Sequence, residues 1–163
     1  MAIEPVKEFF KKFNMEEKIM EFDTSSATVE LAAQALNVIP ARIAKTLAFK
    51  KDNSCILIVT SGDVKIDNPK FKSVFEIKAK MPSAEEVLSL TGHAAGGVCP
   101  FAVSENIPVY LDISLKRFDT VFPACGSSNS AIELTCDELF RYSEAEKWID
   151  VCKNKEITAG EVI

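Results

Sequence analysis

The sequence predicts an α+β fold, in which helices pack around a mixed or antiparallel sheet. Two observations support this prediction. Segments with apolar residues at helical spacing and segments rich in β-branched and aromatic residues follow one another without strict alternation. Two of the β-type segments, residues 45–50 and 54–60, are separated only by Lys51, Asp52 and Asn53, which indicates a β-hairpin.

The remaining elements follow from the same two patterns. The first helix is the clearest, because Val6, Phe9, Phe10 and Phe13 recur at helical spacing and form one apolar face. In chain order we predict helices over residues 5–13, 27–36, 69–75, 84–91 and 136–142, and strands over residues 18–22, 45–50, 54–60, 100–103, 108–114, 131–134 and 147–152.

Several predicted helix ends carry local signals. Ser83 with Glu86, and Thr135 with Glu138, have the spacing of a capping box, in which two side chains satisfy two backbone N–H groups. The other signals are Ser26 or Thr28 as N-cap of the second helix, Asn37 at its end, Asn68 before Pro69 as N-cap of the third helix, and Gly92 after the fourth.

Composition predicts one domain over residues 1–163, since a chain of this length buries roughly 70% of its unfolded surface without help from metals or disulfides. The five cysteines form no CxxC pair and are accompanied by one histidine, which argues for a reducing compartment and against a structural zinc site. No apolar stretch reaches the length of a membrane span or a signal-peptide core. We therefore expect a soluble, cytoplasmic protein with no membrane partner.

The charge balance argues against a broad nucleic-acid binder. A formal net charge of −5 and a pI near 5.0 leave few cations for phosphate contacts, so we expect no DNA partner. One stretch departs from this balance: residues 64–80 contain five lysines against Asp67 and Glu76. Such a stretch is either a local RNA contact or an ordinary solvated face.

Residues 91–101 contain three of the six glycines and the histidine. The spacing matches neither the dinucleotide-binding fingerprint nor the phosphate-binding loop of nucleotide hydrolases. Gly96 and Gly97 would let a ligand approach backbone N–H groups, as in an oxyanion hole, and Pro100 would fix the exit of the loop. The alternative is a tight turn without a ligand.

Alternation along the first hairpin strand places Lys45 on one face with Leu47 and Phe49, and Thr46 on the other face with Ala48. A lysine that shares a face with large apolar side chains either extends to the rim of the sheet or serves as a fixed donor to a carbonyl or phosphate in a pocket.

Four further positions have both a functional and a structural interpretation. His93 is a general base or a surface or capping residue, and Cys99 is a nucleophile paired with His93 or a small packed hydrophobe. Asp112, in a strand, orients Lys45 or binds an amine, or it faces solvent. The polar loop at residues 123–130, with Gly126 and Ser127, donates hydrogen bonds to a ligand or is a turn.

Three segments, "ARIAKTLAF", "TGHAAGGVCPF" and "PACGSSNSAIELTCDEL", together resemble the YbaK/prolyl-tRNA-synthetase-associated domain family, over about residues 23–148. The resemblance implies a mixed, largely antiparallel, barrel-like sheet surrounded by helices. It also implies an aminoacyl-tRNA deacylase, a hydrolase of translation fidelity that removes a wrong amino acid, most often from proline tRNA. In the family, the lysine that Lys45 matches is the key side chain, the GxxxP motif, here Gly96 to Pro100, lines the pocket, and the 2′-hydroxyl of the terminal ribose assists the attacking water.

From these observations we expect Lys45 to be the catalytic residue of a trans-editing enzyme that needs no cofactor or metal. Its substrate is proline tRNA carrying alanine, cysteine, serine or threonine, its partner is the acceptor end of aminoacyl-tRNA, and prolyl-tRNA synthetase is a further candidate partner. The expected substrate-binding residues are Thr46, His93, Gly96, Gly97, Val98, Cys99, Pro100, Asp112, Gly126 and Ser127. Two alternatives remain open: a non-catalytic tRNA- or nucleotide-binding module, and a thiol hydrolase that uses Cys99 and His93.

Overall fold

The computed structural model describes residues 3–94 and 96–155. The helices are α1 (Ile3–Lys11), α2 (Val29–Leu36), α3 (Asn68–Phe75), α4 (Ala84–Thr91) and α5 (Cys136–Tyr142), with short 3-10 turns at Glu16–Lys18, Pro40–Arg42 and Ile113–Arg117. The strands are β1 (Met20–Glu21), β2 (Ile43–Lys51), β3 (Ser54–Ser61), β4 (Val64–Ile66), β5 (Val109–Asp112), β6 (Thr120–Pro123), β7 (Ser130–Ala131), β8 (Leu134–Thr135), β9 (Lys147–Ile149) and β10 (Cys152–Asn154).

Six strands form a curled, half-barrel sheet in the order β8-β6-β2-β3-β5-β9. The β2–β3 hairpin is its longest pairing and runs antiparallel from Ala44↔Ser61 to Lys51↔Ser54. The β2–β6, β3–β5 and β5–β9 pairings are parallel, whereas β6–β8 is antiparallel. Two smaller antiparallel pairs, β1–β7 and β4–β10, lie outside this sheet. The predicted α+β fold with a mixed sheet is therefore confirmed.

Strand β3 is almost continuously apolar, which is typical of strands buried on both faces, and the sheet is covered on both sides of it. Leu57 and Val59 point toward the larger core, which also contains Phe10 of α1 and Leu139 of α5. On the other face, Phe49 of β2, Ile56 and Ile58 pack in a second core with Phe71 of α3. The alternation predicted for β2 holds, because Ala44 and Ala48 belong to the first core and Phe49 to the second.

Helix α2 lies at the end of the sheet where β2 and β6 begin to separate. Ala32 and Ala33 of α2 pack on Ile43 of β2 and Phe122 of β6. Of the two predicted N-caps, the structure uses Thr28, whose Oγ1 accepts a hydrogen bond of 3.2 Å from the Leu31 N–H.

The other local cap signals were mostly correct. Both capping boxes form, Gly92 ends α4 with φ +78°, and Asn37 ends α2 with φ +56°. The N-cap of α3 was wrong by one residue: Asp67 rather than Asn68 accepts the Lys70 N–H. Asn68 is instead the first helical residue.

Several strand predictions were wrong in extent or existence. Residues 100–103 form no strand, because Ala102 adopts φ +55° and Phe101 packs on Phe10 with ring centroids 4.9 Å apart. The predicted strand at 147–152 is two strands, β9 and β10, separated by Asp150 and Val151. The predicted strand at 131–134 is likewise divided between β7 and β8, the strand at 18–22 is reduced to β1, and β4 and β6 were not predicted.

Within the described residues, no helix has both the length and the apolar character that crossing a membrane requires.

Candidate active site

A cavity of about 260 Å³ opens where β6 leaves β2. These strands pair only at Ile43↔Phe122 and Ala44↔Pro123, so the part of β2 that begins at Lys45 extends past the end of β6. The cavity is lined by Ser26, Ala27, Thr28, Val29, Ala32, Ile43, Ala44, Lys45, Thr46, Leu47, Gly96, Val98, Phe122, Ala124, Ser130 and Ala131. Four residues predicted from the sequence therefore meet here: Lys45, Thr46, Gly96 and Val98.

Lys45 contributes the cation of this cavity. Its Nζ donates a hydrogen bond of 2.7 Å to the carbonyl oxygen of Val64 in β4. Burial lowers the pKa of the Lys45 ammonium, and the nearby positive charge of Lys155 lowers it further. An ammonium has three N–H donors, so the bond to Val64 fixes the group and leaves two donors for other acceptors.

Thr46 points to the other face of β2, where the cavity adjoins a smaller one of about 130 Å³ lined in part by Val98 and Met81. Its Oγ1 is buried and has no hydrogen-bond partner among the described residues. A buried hydroxyl without a partner carries a desolvation cost, which a ligand with a complementary group would remove.

The other hydroxyl groups at the cavity already have protein partners. Ser26 Oγ donates to the Ser128 carbonyl at 3.3 Å, and Thr28 Oγ1 caps α2. Ser130 Oγ accepts the Cys125 N–H at 3.3 Å and lies 2.7 Å from Ser127 Oγ. Among the described lining residues, Thr46 therefore has the one hydroxyl that is uncommitted.

The GxxxP loop approaches two neighbouring segments closely. Gly96 has φ +84°, and a Cβ at this position would lie 2.9 Å from the Cβ of Ala27. A Cβ at Gly97 would lie 2.9 Å from the backbone of Ser127. Glycine at both positions is thus required for this packing.

The loop at residues 123–130 contributes Ala124 and Ser130 to the cavity wall and is hydrogen-bonded to the segment ahead of α2. Ser128 O accepts the Ser26 N–H at 2.7 Å, and Asn129 Nδ2 donates to Phe22 O at 3.0 Å. Gly126 and Ser127 are buried behind this contact. Gly97, Pro100, Gly126 and Ser127, predicted as substrate-binding residues, therefore shape the surrounding loops without lining the cavity.

His93 and Cys99 do not line the cavity either, in contrast to the prediction, because their side chains are buried at 1% and 0% exposure. His93 Nε2 lies 3.1 Å from the carbonyl oxygen of Phe101, so this nitrogen carries the proton and donates it. It is consequently not a base toward Cys99 Sγ, 3.5 Å away. Burial lowers the pKa of His93 and raises that of Cys99 to about 12.

Asp112 was expected to orient Lys45 or bind an amine, but its carboxylate is buried and bound to two backbone N–H groups. Oδ2 accepts from Ser114 and Oδ1 from Val151, both at 2.9 Å. The residue borders a different depression, shared with Arg117 and Cys152, and joins β5 to the β9–β10 connection. The described residues contain no group of three or more His, Cys, Asp or Glu side chains able to hold a metal.

Comparison with protein families matches residues 23–142 to the aminoacyl-tRNA editing domain. The chain belongs to this family. The segment that matches the editing domain includes α2, the β2–β3 hairpin, the GxxxP loop and the loop at 123–130, and therefore every residue that lines the cavity.

The chain is also similar to individual proteins. The uncharacterized protein YwhH of Bacillus subtilis is 54% identical over 157 residues, which are 96% of this chain and 100% of YwhH. The proline–tRNA ligase of Bacillus licheniformis is 30% identical over 61% of this chain, and the match spans 18% of the ligase. A solved structure described as a candidate trans-editing enzyme for prolyl tRNA synthetase superposes with a TM-score of 0.83, at 27% identity, over 94% of this chain and 98% of that one.

Sequence reasoning missed one wall of the editing-domain cavity. The prediction did not name nine of the lining residues: Ser26, Ala27, Thr28, Val29, Ala32, Phe122, Ala124, Ser130 and Ala131. Of these, Ala124 and Ser130 belong to the loop at 123–130, for which contact with a ligand was one of the two interpretations. The signal that could have suggested this wall is the run of small residues "SSA" ahead of α2, which permits close approach of the GxxxP loop.

Proposed function

We propose that the protein is a trans-editing deacylase, which hydrolyses the ester between a wrong amino acid and the terminal adenosine of a tRNA. The observation that carries this proposal is the meeting of Lys45 with Gly96 and Val98 of the GxxxP loop at one cavity. Membership in the editing-domain family supports the same reaction class.

The chemistry requires little beyond what the cavity offers. A water oxygen attacks the ester carbonyl, negative charge develops on the carbonyl oxygen, the bond to the ribose oxygen breaks, and that oxygen takes up a proton. Lys45 is held by Val64 O at 2.7 Å, so its remaining N–H donors are in place before the substrate binds. A preorganised cation stabilises developing negative charge without reorganisation, which is the main contribution needed for an already activated ester.

Proline tRNA is the proposed substrate, because proline–tRNA ligases and a candidate trans-editing enzyme for prolyl tRNA synthetase are among the relatives. The cavity of about 260 Å³ is smaller than a typical drug-sized site of about 300–1,000 Å³. This small volume favours a small amino acid such as alanine, cysteine, serine or threonine.

The thiol-hydrolase alternative is disfavoured by geometry. Cys99 has no exposed surface, its pKa is raised to about 12, and His93 Nε2 is committed to Phe101 O. A thiolate nucleophile needs the opposite conditions, namely access and a lowered pKa. The alternative of a non-catalytic binding module is decided by measuring turnover.

The test is the deacylation of proline tRNA charged with alanine, cysteine, serine, threonine or proline. Wild type is compared with Lys45→Ala and with the control Lys51→Ala, which removes a lysine from the far end of the same strand. We expect release of at least one wrong amino acid by wild type and by Lys51→Ala, and its loss in Lys45→Ala. Release that persists in Lys45→Ala would refute the assignment of the lysine, and no release by wild type would favour the binding module.

A further inference from the structure

The hydrogen bond that fixes Lys45 depends on a turn of two residues, Gly62 and Asp63, which joins β3 to β4. Val64 follows this turn directly, and its carbonyl oxygen accepts the Lys45 Nζ hydrogen bond of 2.7 Å. A backbone carbonyl cannot move independently of the chain around it, so its position is set by the turn that precedes it. Contacts that hold the turn therefore also hold the ammonium.

One side of the turn packs against the wall of the cavity. A Cβ at Gly62 would lie 2.6 Å from Cγ1 of Val29, which lines the cavity, and still closer to the carbonyl oxygen of Pro40. Ser61, the residue before the turn, donates a hydrogen bond from Oγ to the carbonyl oxygen of Ala41. This side of the turn is therefore fixed by close contact with α2 and with the 3-10 turn that follows α2.

The other side of the turn is held by Arg117, the last residue of the 3-10 turn after β5. Its Nη1 and Nη2 donate to the two carboxylate oxygens of Asp63, at 3.0 and 2.6 Å. Nη2 also donates to Ser61 Oγ at 2.9 Å, and Nε donates to the carbonyl oxygen of Ser114 at 2.8 Å. All three guanidinium nitrogens are thus engaged, and they join the β3–β4 turn to the segment after β5.

The Asp63–Arg117 pair has the geometry that makes an ion pair a positioning device. Isolated exposed pairs contribute little, but two parallel N–H···O bonds to one carboxylate, within a larger network, fix geometry as well as charge. The guanidinium also lowers the pKa of Asp63, so the carboxylate stays ionised and paired at neutral pH. Because a displacement of about 1 Å in an active site can cost about 100-fold in rate, a firmly held turn matters to the lysine that it fixes.

We propose that the Asp63–Arg117 pair positions the catalytic lysine, by holding the β3–β4 turn so that the Val64 carbonyl fixes the Lys45 ammonium before the substrate binds. This inference rests on the proposed function, since it assigns two further residues to the same reaction. Neither side chain is among the described residues that line the cavity. Both are therefore positioning residues, which act on the ester only through Lys45.

The test compares Arg117→Gln, Asp63→Asn and the two combined, on the aminoacyl-tRNA that wild type hydrolyses. The double variant removes both charges, so the net charge is unchanged and no freed carboxylate of the pair competes for Lys45. The matched control combines Lys7→Gln with Glu21→Gln, which removes an ion pair of 2.9 Å between α1 and β1 in the same way.

We expect each single variant to lower kcat about tenfold or more with little change in KM, because the lysine is misplaced while the binding surfaces remain. The double variant should lose no more than the more affected single variant, since both side chains act through one contact. The control should match wild type. Loss in both single variants would also rule out a direct contact of Arg117 with phosphate as the cause, because Asp63→Asn removes a negative charge and would strengthen RNA binding.

Unchanged kcat in either single variant, or losses that multiply in the double variant, would overturn the proposal. Should Arg117→Gln fail to fold, Arg117→Lys, which keeps the charge but not the paired bonds, takes its place in the same comparison and is expected to lose part of kcat.

NMR relaxation of the Lys45 ammonium separates positioning from a purely structural role. Its signal is assigned by its absence from Lys45→Ala. Greater motion of this group in the double variant than in wild type and in the control supports the proposal, and equal motion refutes it. If wild type hydrolyses no tested aminoacyl-tRNA, the proposed function fails, and the NMR comparison, made on the free protein, still decides whether the pair positions the lysine.

Discussion

Replacing Thr46 with valine tests the idea that its hydroxyl is reserved for a ligand. Valine keeps the shape and the β-branch, so the strand preference of the position is retained. What the change removes is Oγ1, a buried hydroxyl that has no partner among the described residues. Such a group costs about 1–3 kcal/mol in the folded state. Thr46→Val should therefore raise the free energy of unfolding by about 1–2 kcal/mol.

That gain is large enough to measure. For a chain of this size, 1 kcal/mol corresponds to about 2–4 °C in Tm, so calorimetry should detect an increase of several degrees. The same variant should lose activity about three- to tenfold in kcat/KM, because a neutral hydrogen bond contributes about 0.5–1.5 kcal/mol and 1.4 kcal/mol is tenfold. The expected result is thus a more stable and less active protein.

Thr60→Val is the matched control. Thr60 lies opposite Lys45 on β3, is fully buried, and its Oγ1 donates to Ser61 O at 3.1 Å. Removing this satisfied hydroxyl should lower the unfolding free energy by about 1 kcal/mol. If Thr46→Val lowers Tm as the control does, or leaves deacylation unchanged, the hydroxyl is not a ligand-binding group and the reasoning fails.

Two further predictions concern the buried pair beside the GxxxP loop. Cys99→Ala should lower the free energy of unfolding by about 1–2 kcal/mol and leave deacylation intact. Cys99 should also resist thiol reagents in the folded protein, because burial raises its pKa to about 12. Loss of activity in Cys99→Ala would instead support the thiol hydrolase. Burial lowers the pKa of His93, so as pH falls the unfolded chain binds a proton at this residue before the folded protein does. The free energy of unfolding should therefore fall as pH decreases below about 6.5, by at most about 1.4 kcal/mol per pH unit. Urea unfolding at pH 7.5 and 5.5 should give a smaller decrease for His93→Gln, and equal decreases for both proteins would show that another group is responsible.

Local signals accounted for the parts of the fold that depend on neighbouring residues. Capping boxes such as Ser83 with Glu86, and the hairpin turn after Lys51, are decided within a few residues, and both form as predicted. The short strands β4 and β6 depend instead on partners far along the chain. Val64–Ile66 pairs with β10, about 90 residues away. Three or four residues carry too little alternation to predict such a pairing.

Predictions for the candidate site were likewise correct where they depended on neighbouring residues and incomplete where they depended on distant segments. Alternation correctly put Lys45 and Thr46 on opposite faces of β2, but it gives only a side chain's direction and not its depth. Asp112 and His93 have residue types suited to catalysis, yet each is enclosed by backbone groups from distant segments, Val151 and Phe101. No spacing rule contains these contacts, so the sequence could not predict the buried positions of the two side chains.

The cavity itself explains why a lysine and a threonine on opposite faces can serve one ligand. In the interior of a sheet, such side chains are separated by the strand and its neighbours. Here β6 ends its pairing with β2 at Ala44, one residue before Lys45, so the ligand can reach both faces around the uncovered edge. Pro123, the last residue of β6, lacks a backbone N–H and so cannot donate to an extended ladder. Pairing of β6 with β2 beyond Ala44 would cover the edge of β2 at Lys45 and Thr46, so the proposed activity depends on the early end of β6 as well as on Lys45.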